Sequence, residues 1–387
     1  MNEVVIPRAL RNVLALEDLE PVGERLLPNC LFQFISGGVE TNSSRRENRA
    51  AFQDYDFYPQ VLNDVSKRNS EVTLFGKTWS APFGIAPMGG SGLSGFRADM
   101  AFAQAARADG IPSILSGASL IPMEDIARAN PDAWFQAYLP TERKDIEALL
   151  DRIAAAPFGT LVVTVDVPVS GNRENLVRAG YSSPIRPSFQ LACDVASHPR
   201  WLFGTWLRTL MRHGMPHYEN TAAERGIPVF SRDAFRTHLR DAITWQDMQW
   251  MRERWRGKML LKGVLAPSDA RKARDIGIDG VIVSNHGGRQ LDGAAAPLRA
   301  LPAIREAARD IAVLYDGGIR RGTDVIKAMA LGAELVFIGR PYLYAAALAG
   351  VAGIRHATSL LQAEVLRDLA LLGCCNLGEI KDRVVRR

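Results

Sequence analysis

Gly280-Val281-Ile282-Val283-Ser284-Asn285-His286-Gly287-Gly288-Arg289-Gln290-Leu291-Asp292-Gly293 is the stretch that decides how this chain is read. Its first four residues are uniformly apolar, as in a strand buried on both faces of a parallel sheet. The strand therefore ends at Ser284, and His286 and Arg289 fall in the loop beyond its carboxyl end. Gly287 and Gly288 let that loop turn sharply and approach a ligand. An imidazole can take a proton near neutral pH, and a guanidinium can grip a carboxylate through two parallel hydrogen bonds. The pair suits proton abstraction from an acid-bearing substrate.

Short apolar runs of the same kind recur from Pro82 onward, at 83–86, 113–115, 133–135, 161–165, 259–261, 280–283, 312–315 and 335–338. Helix-like stretches lie between them, at 99–109, 123–129, 145–155, 268–275, 298–309 and 323–330. Eight strand–helix units predict an α/β fold, a closed (β/α)8 TIM barrel, with an open doubly wound sheet as the competitor. Every run ends in small or polar residues: Pro87-Met88-Gly89, Ser116, Gln136 with Tyr138, Thr164 with Asp166, Lys262, Ser284 with His286, Asp316-Gly317-Gly318, and Gly339-Arg340. A barrel mouth needs this, because its active site forms from the loops at one face. Ahead of the barrel, 12–38 reads as helical with a restart at Pro28 and a stop at Ser36-Gly37-Gly38, and 72–77 as one arm of a hairpin. The expected organisation is one domain over 1–387. It has N-terminal helices and a hairpin (1–81), a barrel (82–370), and a long insertion after strand 4 at about 176–243.

The chain has 387 residues, is 47% hydrophobic and 23% charged, and carries a net charge of +5, values of an ordinary globular protein without a dense basic block for nucleic acid. Cys30, Cys193, Cys374 and Cys375 have neither a disulfide framework nor metal-ligand spacing, so reduced thiols and no metal site are expected. No stretch reaches the roughly 18 apolar residues of a membrane span. The start, Met1-Asn2-Glu3-Val4, lacks the regions of a signal peptide, so a cytoplasm-facing protein is expected.

Gly90-Ser91-Gly92-Leu93-Ser94-Gly95 has dinucleotide-loop spacing, but the acidic residue that should end a second strand is missing; Asp109 ends a helix. It reads as a first βα loop. Asp316-Gly317-Gly318-Ile319-Arg320 and Gly339-Arg340 follow the last two strands, where barrels commonly bind phosphate. Lys262 ends an apolar strand and needs an anionic partner there.

The string Ser284 to Gly293 closely resembles the active-site signature of the FMN-dependent 2-hydroxy-acid dehydrogenases and oxidases. The resemblance runs from about Leu27 to about Ile380. It implies FMN as cofactor, held by Pro87, Met88, Gly89, Ser116, Gln136, Thr164, Ser284, Asp316, Gly317, Gly318, Arg320, Gly339 and Arg340, with Lys262 beside the flavin ring. It makes His286 the base, Asp166 its partner, Tyr138 the group facing the substrate hydroxyl, and Arg173 with Arg289 the carboxylate clamp. Phe34 stands where the family usually has a tyrosine touching the carboxylate. Asn172 and Val169 replace residues commonly basic or bulky, and Ala118 replaces the tryptophan of glycolate oxidase. These departures imply a roomier, more apolar pocket, fit for an aryl or long-chain acid. Gly89 is alanine in glycolate oxidase and glycine in many dehydrogenases, so the reading is an (S)-2-hydroxy-acid dehydrogenase passing electrons to a quinone or other carrier. The alternative is an oxidase that reduces O2 to hydrogen peroxide. A barrel enzyme without flavin would be colourless. The family also implies a homo-oligomer, often a tetramer. Residues 197–217 combine Trp201, Phe203, Trp206 and Met211 with Arg200, Arg208 and Arg212, a composition suited to peripheral contact with the inner face of the cytoplasmic membrane, or else to a lid or a subunit contact built on the same residues.

Overall fold

Each of the eight apolar runs forms a parallel strand: β1 Phe83–Ile85, β2 Ile114–Ser116, β3 Trp134–Ala137, β4 Thr160–Thr164, β5 Lys258–Val264, β6 Gly280–Val283, β7 Ala312–Asp316 and β8 Leu335–Ile338. Neighbours in sequence are neighbours in the sheet, and β8 pairs with β1 in parallel. A parallel bridge between Ile85 and Ser113 joins β1 to β2 and closes the ring. The fold is the expected barrel. The computed structural model describes residues 7–181, 188–231 and 240–387. Parts of the expected insertion (182–187 and 232–239), like the first residues of the chain, lie outside them.

Strand periodicity sorts the core into two layers. Ile114, Trp134, Val162, Leu260, Ile282, Leu314 and Phe337 form one cluster, the barrel interior. The alternate residues, among them Leu115, Phe135, Val163, Leu261, Val281, Val313 and Val336, pack with the surrounding helices. Gly84 permits close packing: a Cβ there would lie 2.4 Å from the Pro112 carbonyl oxygen and 3.0 Å from the Phe337 ring. Only β5 runs well past its expected end, because Gly263 at φ +105° lets the strand bulge between Lys262 and Val264 and continue.

The hairpin pairs Val72–Leu74 with Lys77–Trp79 through a turn at Phe75-Gly76, both at positive φ. Leu74 and Trp79 join the interior cluster, so the hairpin plugs the amino-terminal end of the barrel.

The N-terminal helices differ in detail from the expected 12–38. A 3-10 turn at Leu16–Asp18 leads into Leu19–Leu26, and Asn29–Ser36 follows Pro28. Two elements that flank the aromatic segment after these helices were not expected. Ser43–Ala50 is a helix, and Tyr55–Phe57 pairs antiparallel with Val384–Arg386 near the carboxyl end. The helix has no apolar stripe and is held by tertiary bonds instead, Arg45 to Glu20 and Arg49 to Asp324.

The interior layer sets the stability of the frame. Leu314→Ala, in the middle of β7, is expected to cost about 2–5 kcal/mol. In denaturant titrations the midpoint should drop with an unchanged slope; a loss below 1 kcal/mol would mean Leu314 is not part of a close-packed interior.

Candidate active site

Two residues beyond the apolar interior layer, on the same face of their strands, stand Ser116, Gln136, Thr164, Lys262, Ser284 and Asp316, all buried. The period of two thus carries a polar ring to the mouth of the barrel. Lys262 Nζ donates to Ser284 Oγ at 3.1 Å and lies 2.9 Å from Asp316 Oδ2. Ser284 Oγ donates in turn to Asp316 Oδ1 at 2.5 Å and accepts from the His286 N–H at 2.9 Å. Burial disfavours the Lys262 ammonium, but Asp316 and Asp166 more than offset it, and its pKa is raised above the ordinary lysine value. A buried fixed cation results.

Beyond Ser284 the chain reverses through three left-handed residues, His286 at φ +57°, Gly287 at +67° and Gly288 at +73°. Such a backbone is costly for a histidine, and strain of this kind gathers at functional sites. Its Nδ1 lies 3.0 and 3.2 Å from the two oxygens of Asp166. A carboxylate only accepts, so Nδ1 carries the proton and the Nε2 lone pair is free for a substrate. Burial is the largest influence on the imidazole and lowers its pKa; Asp166 opposes this, while Lys262 and Arg173 add to it, leaving the pKa below 6.5. Asp166 feels burial upward, but His286 and Lys262 bring it below the ordinary aspartate value. At neutral pH the pair is a neutral base beside an ionised carboxylate. Gly263 makes the approach of Asp166 possible, because a Cβ there would sit 2.4 Å from the Asp166 carboxyl carbon.

The mouth opens into a cavity of about 870 Å³. Of the residues expected at the site, Phe34, Pro87, Met88, Gly89, Tyr138, Arg173, Lys262, His286, Arg289, Asp316, Gly317, Gly318, Arg320, Gly339 and Arg340 line it. Asp166, Ser116, Gln136, Thr164 and Ser284 lie behind that surface. Among the described residues, none of Arg173, Arg289, Arg320 and Arg340 has a carboxylate within 4.0 Å. Arg289 and Arg340 both donate to the carbonyls of Ile35 and Gly37, at 2.9 to 3.2 Å, where the helix Asn29–Ser36 ends. Arg173 is held by the Arg289 carbonyl and the Gln290 side chain. Burial lowers all four pKa values, that of Arg340 to about 10, with neighbouring arginines adding to the effect at Arg289, Arg320 and Arg340. Four desolvated cations facing one cavity call for anionic ligands.

A flavin mononucleotide fits what the residues leave open. Gln136 Nε2 and Thr164 Oγ1 are buried with no partner among the described residues, and Ser116 holds the other end of Gln136 at 3.1 Å. Gly317 (φ +124°) and Gly318 (φ +81°) bring main chain against the cavity, with the Gly318 carbonyl fixed by Arg49 at 2.6 Å. Ala118 borders the cavity and enlarges it. Tyr181, Tyr218 and Arg240 line it as well and were not read from the sequence; all three come from the long excursion between β4 and β5, which lacks strand–helix periodicity.

A family model for FMN-dependent dehydrogenases matches residues 23–387. An L-lactate dehydrogenase of Ectopseudomonas mendocina is 38% identical over 374 residues, covering 95% of this chain and 97% of that protein. An L-lactate dehydrogenase of Pseudomonas aeruginosa is equally similar over 381 residues, with 97% and 98% covered. Among solved structures, the monotopic membrane protein (S)-mandelate dehydrogenase superposes with a TM-score of 0.92 at 35% identity, covering 97% of this chain and all of that one. A mandelate oxidase variant gives 0.80 at 32% identity, with 97% and 98% covered. The chain belongs to the FMN-dependent dehydrogenase family.

Proposed function

We propose that this protein is an FMN-dependent dehydrogenase that oxidises an (S)-2-hydroxy acid to the 2-oxo acid. The observation that carries the reading is His286, held neutral against Asp166 beside the buried Arg173 and Arg289, which form no ion pair among the described residues. Arg173 and Arg289 hold the substrate carboxylate, and Tyr138 orients the hydroxyl. His286 Nε2 accepts the proton, and Asp166 stabilises the imidazolium that forms. When bound, FMN supplies a two-electron acceptor. Gln136, Thr164, Ser116 and the main chain of 87–89 would hold its ring, and Arg320 with the loops at 317–318 and 339–340 its phosphate chain. Lys262 keeps a positive charge where the ring gains negative charge. The apolar rim, including Met88, Ala118 and Val177, favours an aryl or long-chain acid over lactate. The acceptor is a carrier other than O2, a reading supported by Gly89; rapid oxygen uptake during turnover would favour the oxidase.

The segment 199–213 is helical, and Phe203 and Met211 project from it with 64% and 79% of their surface exposed. Arg200, Arg208 and Arg212 have no carboxylate partner among the described residues. No described helix is long and apolar enough to cross a membrane. This combination supports peripheral membrane contact.

Three outcomes are expected. His286→Gln should retain yellow FMN yet slow anaerobic flavin reduction by mandelate or lactate by about 10²–10⁴-fold; normal reduction would refute the base. The base works only when neutral and its pKa is lowered from the ordinary histidine value, so the acid limb of kcat/KM should have its midpoint below that value. An acid limb above 6.5 would contradict the assignment. The protein should co-sediment with vesicles containing anionic phospholipid, less so in high salt, and Phe203→Asp with Met211→Asp should abolish this. Undiminished binding by that variant would exclude the segment.

A further inference from the structure

Helix Asn29–Ser36 brings Phe34, which has no hydrogen-bonding group, to the end of the cavity where the arginines converge. The Phe34 ring lies 5.3 Å from the Arg289 guanidinium. Its other neighbour is Tyr181, whose ring stacks on it with centroids 5.4 Å apart and planes 22° from parallel. We propose that the Tyr181 hydroxyl is a substrate-binding group that donates the third hydrogen bond to the substrate carboxylate, beside Arg173 and Arg289. The inference rests on the 2-hydroxy-acid reading above.

Tyr181 and Arg173 are carried by one short unit. Arg173 precedes the helix Glu174–Arg178, and the chain folds back at its end so that the Tyr181 N–H donates to the Leu176 carbonyl at 2.9 Å. Asn175 in the same unit donates to the Gln33 carbonyl at 3.2 Å, which ties it to the helix bearing Phe34. Guanidinium and phenol are thus fixed relative to each other and to Arg289. The Tyr181 side chain is 8% exposed and lines the cavity, and its hydroxyl has no hydrogen-bond partner among the described residues. A phenol hydroxyl that opens to the cavity and is tied to no described protein group is free to donate to a group brought in by the ligand. Burial pushes the phenol pKa well above its ordinary value, so the hydroxyl remains a donor at any working pH.

The test is stopped-flow reduction of the FMN holoenzyme by mandelate, which separates substrate dissociation constant from limiting rate. Tyr181→Phe should raise the dissociation constant about tenfold or more, as for loss of a hydrogen bond to a charged group, and change the limiting rate less than about threefold. Moving the hydroxyl back across the stack, Phe34→Tyr in the Tyr181→Phe background, should recover most of the affinity. A purely structural role would give neither the split nor the recovery. An unchanged dissociation constant in Tyr181→Phe, with normal reduction of wild type, overturns this inference alone. Failure of any 2-hydroxy acid to reduce the wild-type flavin overturns the proposed function, and this inference with it.

Discussion

Along a β-strand successive side chains face opposite ways, and in a closed barrel every second residue must point inward. The interior is filled by Ile114, Trp134, Val162, Leu260, Ile282 and Leu314. The next inward positions are Ser116, Gln136, Thr164, Lys262, Ser284 and Asp316. The chemistry is therefore in register with the core, and a one-residue slip in any strand would turn its polar group into the helical layer. The site is built on the strand ends of the barrel, and its hydrogen bonds link β5, β6 and β7 there.

Charge is the second constraint. Lys262 is compensated within the protein by Asp316, whereas Arg173, Arg289, Arg320 and Arg340 form no ion pair among the described residues. Their partners are carbonyls. Arg289 and Arg340 converge on the end of helix Asn29–Ser36, where partial negative charge gathers. That holds each guanidinium in place without neutralising it, and leaves its charge for a ligand. The neutral His286 suits this balance. Burial, with Lys262 and Arg173 nearby, disfavours a further proton on the imidazole, while Asp166 favours one.

Much of this was legible in the sequence. Parallel strands covered on both faces read as plain apolar runs, so all eight were found near their observed limits, and the residues just past them marked the mouth. The resemblance around His286 and Arg289 named the cofactor and gave roles to the strand-end residues. What was not legible depends on contacts between distant parts of the chain. The carbonyls that hold Arg289 are more than 250 positions away. Gly263 looks like any glycine until Asp166 arrives against it. The strand Val384–Arg386 exists because Tyr55–Phe57 offers an edge. Helix Ser43–Ala50 has a polar sequence whose stability is supplied from outside it. Tyr181 lies in a stretch whose pattern resembles neither strand nor regular barrel helix.

The excursion after β4 carries no barrel strand, yet it touches the site from several sides. Trp201 Nε1 donates to the Leu93 carbonyl at 2.7 Å, fixing the first βα loop where Leu93 borders the cavity. Asp194 accepts from the N–H groups of Asn29 and Cys30, capping the same short helix whose far end Arg289 and Arg340 hold. Phe203 and Met211, a few residues from Trp201, face outward. The outward-facing Phe203 and Met211 and the cavity-lining Tyr181 and Tyr218 thus belong to the same excursion, which is tied to helix Asn29–Ser36 through Asp194. A segment without a barrel strand therefore still shapes the mouth, because it holds both the first βα loop and the helix on which Arg289 and Arg340 converge.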